Sequence, residues 1–144
     1  QLAVELQIDG EDWLADPGGY VYTPAPALRD AYRSVMAHAA PRQGTNEPAR
    51  LDLGLFRLED RAGAVCLRFN GGGFHGVHHG FGAAMHRIVG IGRGEISIRD
   101  VMEPVMESGG GETESVTVTS ARELRLHLGL SLPFSPGYGI RTEK

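Results

Sequence analysis

Leu2, Val4, Leu6 and Ile8 alternate with Ala3, Glu5, Gln7 and Asp9, the period of a strand with one face buried. Asp9-Gly10 is a two-residue hairpin signal and predicts a returning strand at Trp13 to Ala15. Asp16-Pro17-Gly18-Gly19 is a strong turn that leads into Tyr20-Val21-Tyr22. Ala27, Leu28, Ala31 and Tyr32 are spaced for a short helical turn over 26–34, and Ala39 to Pro48 reads as loop.

Beyond that point the pattern predicts strands almost throughout. Arg50 to Leu58 and Ala64 to Phe69 are expected strands around a charged turn. Phe74 to Phe81, Met85 to Ile91 and Glu95 to Val101 follow, separated by glycine turns. Glu103 to Glu114 is a polar, Gly-rich loop, after which Val116 to Thr119 and the alternating leucines from Leu124 to Leu132 return to strand. Short strands spaced by roughly 8–12 residues predict an all-β fold, an antiparallel, jelly-roll-like β-sandwich.

Composition sharpens this picture. The 144 residues are enough for one domain with a real core, residues 1–144. Its 21 glycines are about twice the usual ~7% share, and they cluster between apolar stretches where tight turns fall. A net charge of −4 with no Lys/Arg run argues against nucleic acid. No apolar run approaches the ~20 residues of a membrane-spanning helix. Cys66 is the single cysteine, so no intrachain disulfide forms, and its alternating apolar surroundings predict a core position. The chain enters its first strand directly at Gln1, which predicts a piece of a longer protein.

Six histidines are the main candidates for chemistry, since imidazole is both a metal ligand and a near-neutral acid or base. On a strand, His75 and His79 share one face and His78 takes the other, so a paired site from His75 and His79 is geometrically open. The competing reading is a strand with polar surface positions. Asp16 sits at a rigid corner, as turn chemistry alone would also place it. His38 lies between alanines, and either a buried histidine or a ligand fits there. Tyr20, Tyr22 and Tyr32 with Arg29 and Arg33 offer the rings and guanidinium forks that a uronate-binding surface uses.

From Leu2-Ala3-Val4-Glu5-Leu6 through Asp9-Gly10 to Asp16-Pro17-Gly18-Gly19-Tyr20-Val21-Tyr22, the chain resembles the C-terminal domain of heparinase II/III-like polysaccharide lyases. Arg33-Ser34 and Ala37-His38 look like that family's Arg-Ser and Ala-His pairs. Gly54-Leu55-Phe56-Arg57 looks like its G-x-F-R strand, and His78-His79-Gly80-Phe81 like its H-x-G-Y segment with Phe in place of Tyr. After Ala-His the family pattern continues with Asn, where this chain has Ala39-Ala40-Pro41.

The resemblance implies a β-sandwich packed on an upstream α/α toroid that carries the main catalytic residues. Its chemistry is β-elimination on an acidic, uronic-acid-containing polysaccharide, which favours a periplasmic or secreted setting. It also implies a structural zinc held by Asp16, His38 and a histidine upstream of the first strand. Of the ring and guanidinium group above, Tyr20, Tyr22 and Arg33 are the substrate-facing candidates. No lyase activity is expected of the chain by itself. Two alternatives stand beside this: a non-catalytic carbohydrate-binding or structural sandwich, and a cupin-like metal site built on His75 and His79.

Overall fold

A computed structural model describes residues 1–21, 23–55 and 57–103, together with the backbone of three later strands. It is an antiparallel, all-β, sandwich-like fold with one short helix. The first layer is the hairpin of β1 (Leu6–Ile8) and β2 (Glu11–Leu14). Its two-residue turn needs positive φ at both positions, and Asp9 at 51° and Gly10 at 82° supply it, which is why Asp-Gly stands there.

The second layer is a five-stranded sheet in sequential order: β3 (Val65–Asn70), β4 (Gly73–His78), β5 (Met85–Gly92), β6 (Glu95–Met102) and β7 (Thr113–Val118). A further pair, β8 (Phe134–Gly137) and β9 (Ile140–Thr142), forms its own two-stranded ladder. Strand alternation sends Phe74, Val89 and Ile98, which are in register, to one face of the large sheet. There Val89 and Ile98 meet Leu14 and Ala39, with Val4, Leu6, Phe74 and Ile96 packed around them. This contact between the hairpin and the sheet is the core that joins the layers.

In the sequence between β2 and β3 the chain forms α1 (Pro26–Arg33) and a single 3₁₀ turn at Val35–Ala37. Pro26 starts the helix where its missing N–H costs nothing, and Arg33 lies in the last turn, where a cation suits the helix dipole. Tyr32 is buried beneath it. Ser34 ends α1 and its Oγ accepts from the Met36 N–H at 3.1 Å, so the same residue caps the turn that leads to His38.

Three expectations are corrected. Arg50 to Leu58 is not a strand: its described residues are bends, turns and irregular backbone. Asp52 pairs with Arg50 at 2.8 Å within this segment, and Gly54 has φ 112°, outside the strand region. Cys66 is exposed rather than in the core, because all of β3 lies at the accessible edge of the sheet. β4 stops at His78, so His79 leaves the strand and does not continue the face of His75. The leucine alternation from Leu124 to Leu132 lies outside the described residues.

Candidate functional site

Asp16 and His38 are 22 positions apart in the chain, yet Asp16 Oδ2 lies 2.6 Å from His38 Nδ1. The two carboxylate oxygens divide their work. Oδ1 accepts the Gly18 N–H at 2.9 Å and closes the turn, while Oδ2 faces the imidazole. Turn chemistry and site chemistry therefore coexist in one residue. Gly18 adopts φ 74°, a conformation that an L side chain would strain, and Pro17 is buried behind it. The corner is rigid.

His38 is held from behind. Ala39 O accepts the Val4 N–H at 3.2 Å and a second hydrogen bond from Arg87 Nη1, which also reaches Leu2 O at 3.0 Å. Arg87 is fully buried and paired with Asp100 on the neighbouring strand. One guanidinium thus ties the first strand, the segment carrying His38 and the large sheet together. On the other side, Glu47 accepts from the Ser34 hydroxyl and from the Val35 N–H (2.9 Å). His38 and Glu47 line a cleft of about 180 Å³ with Arg33 and Val35.

The substrate-facing candidates are distributed unevenly. Arg33 lines this cleft, with Nη1 3.4 Å from Gly54 O and 3.6 Å from Asp30. Tyr20 has φ 37° and lies against Tyr32, ring centroids 5.5 Å apart. Tyr22 lies outside the described residues.

A carboxylate oxygen and an imidazole nitrogen are donors that zinc takes, and the fold brings the two within contact. They are two of the three or four protein ligands such an ion needs. Among the described residues no group of three or more His, Cys, Asp or Glu side chains could hold a metal.

The histidine cluster resolves differently from its sequence reading. His75 Nε2 lies 3.1 Å from His86 Nδ1, and His86 Nε2 lies 3.1 Å from Glu103 Oε1. The partner of His75 is thus on the next strand, and the carboxylate in the group is Glu103. Sequence reasoning missed both. The signal was the register of β4 on β5, which sets His86 opposite Val77 and diagonal to His75. His78 points to the opposite face, buried, with its Nδ1 accepting the Gly80 N–H at 3.1 Å.

The geometry of the Asp16 corner meets an independent comparison. A protein-family model described as Heparinase II/III-like, C-terminal, matches residues 1–135. The chain belongs to that family. It is a polysaccharide-lyase-associated, all-β domain, and the match spans the Asp16 corner, the His38 segment and the five-stranded sheet. No curated protein and no solved structure matches it. Among the described residues no helix is long and apolar enough to cross a membrane.

Proposed function

We propose that this domain completes the substrate groove of a polysaccharide lyase, one that cleaves uronic-acid-containing glycans by β-elimination. In that reaction a base removes the proton α to the uronate carboxyl and an acid protonates the departing glycosidic oxygen. Both groups come from an upstream α/α toroid, and this domain supplies one wall of the groove, with Arg33 at its edge. Asp16 and His38 are two ligands of a structural zinc whose third ligand precedes the first strand. The zinc locks the corner to the His38 segment; it takes no part in the proton transfers.

The observation that carries this reading is the 2.6 Å contact of Asp16 with His38, within a chain of the heparinase II/III-like family. The test uses the whole parent protein. Metal analysis should find stoichiometric zinc in the wild type and lose it in Asp16→Asn and His38→Ala. Incubation with uronate polymers should produce the ultraviolet absorbance of an unsaturated uronate. A folded, metal-free wild type overturns the zinc assignment. Glycan binding without unsaturated product overturns the lyase assignment and leaves a carbohydrate-binding module.

A further inference from the structure

The face of the large sheet that turns away from the core carries a row of cationic and ionisable side chains. Arg68 is in register with His75, His75 with Ile88, and Ile88 with Arg99. Residues opposite one another share a face, so Arg68, His75 and Arg99 project to the same side. Arg87, one position beyond His86, projects to the other side and holds Ala39. The row is therefore separated by the sheet from the support of His38. Both arginines are exposed, and no carboxylate of the described residues lies within ion-pair distance of either.

The hydrogen bonds fix how His75 can titrate. A carboxylate only accepts, so His86 donates from Nε2 to Glu103 and accepts at Nδ1. His75 then donates from Nε2 to His86, which leaves its Nδ1 as the atom that takes up a proton. That proton enters without breaking either bond. Burial holds the His75 imidazole below its ordinary value, followed by the charges of His86, Arg68 and Arg99. Among the described residues these, with Glu103 behind His86, are the charged and titratable groups facing His75. An anion seated on the arginines would remove their opposition to the proton.

We propose that Arg68, His75 and Arg99 form an oxyanion-binding row for the sulfate or carboxylate groups of an acidic glycan, with His86 and Glu103 orienting His75. Adjacent strands are about 4.8 Å apart, so the two arginines, three strands apart, stand about 14 Å from one another along the row. A single sulfate cannot span that distance, whereas a linear polymer with repeated charges can. The glycan class rests on the lyase-family reading above; the oxyanion chemistry does not.

Calorimetric titration of the full chain with dextran sulfate, uncharged dextran and inorganic sulfate tests this. Dextran sulfate should bind and uncharged dextran should not. Arg68→Ala/Arg99→Ala should weaken dextran sulfate binding about tenfold or more, whereas a charge-matched Arg57→Ala/Arg93→Ala pair should not. Dextran sulfate should also raise the His75 titration midpoint, read by NMR from its ring protons. Dextran sulfate carries no uronate, so its binding reads the row independently of the lyase and zinc readings. Equal losses in both arginine pairs, or none in the first, overturn the proposal. Inorganic sulfate that binds as tightly as the polymer assigns the row to free anions and overturns its glycan part.

Discussion

Arg87 and Asp100 face each other across β5 and β6 in a two-pronged ion pair, with Nε 2.8 Å from Oδ1 and Nη2 2.6 Å from Oδ2. The arginine side chain is fully buried, and its remaining nitrogen holds the carbonyls of Leu2 and Ala39. Every fork position is therefore occupied by a group that has left water. Removing one partner strands a buried charge, which costs about 3–5 kcal/mol. Arg87→Ala should lose stability on that scale in urea unfolding. Arg87→Lys should recover little of it, because an ammonium cannot reproduce the fork. On the zinc reading proposed above, both variants should also weaken metal retention, through the released Ala39 carbonyl.

Gly73 opens β4 with φ 134°, and a Cβ built there would lie 1.9 Å from Val89 O on the adjacent strand. The close approach involves backbone on both sides, so no side-chain rotation relieves it. Strain at such a φ costs about 1–3 kcal/mol, and overpacking adds a similar amount. Gly73→Ala should lower stability by about 3 kcal/mol or more in denaturant unfolding. Gly71→Ala, where a Cβ meets nothing within 4 Å, should change it little.

The local pattern was enough to read the hairpin, the helix and most of the sheet. Alternation placed Leu6 and Ile8 on one face, Asp9-Gly10 determined the turn, and Pro26 to Arg33 had helical spacing. Arg50 to Leu58 failed because alternation reports only that a segment has two faces, not that a neighbouring strand exists to pair with it. Cys66 failed for the related reason that an edge strand keeps the composition of a central one. The Asp16 and His38 contact was open only through resemblance, since nothing local brings together residues 22 apart. Glu103 joined the histidines through strand register, which depends on pairings far along the chain.

Phe69 is 81% exposed on β3, and β4 is its only neighbour among the described strands. An accessible strand bearing Val65, Leu67 and Phe69 is a template for pairing between chains. Phe69→Lys adds a charge at that edge without removing core contacts. It should leave unfolding stability within about 0.5 kcal/mol of the wild type. It should also reduce light scattering during refolding at high protein concentration; an unchanged aggregation rate would show that β3 is not the edge that associates.

His78 should make the fold acid-sensitive. Burial pushes its imidazole down to about 4 from the ordinary 6.5; the N-terminal ammonium, His79 and Arg87 add to this, and Asp100 opposes it. A histidine lowered in this way is neutral in the folded chain while its unfolded counterpart takes up a proton. The unfolded state therefore binds more protons between about pH 6.5 and about pH 4, and stability falls as pH drops through that window. A depression of that size corresponds to a loss on the order of 3 kcal/mol by the lower end. His78→Asn keeps an acceptor for the Gly80 N–H and removes the titration. Its stability should therefore depend less on pH than the wild type's across this window in urea unfolding. Parallel curves for the two proteins would mean that the acid sensitivity comes from other groups.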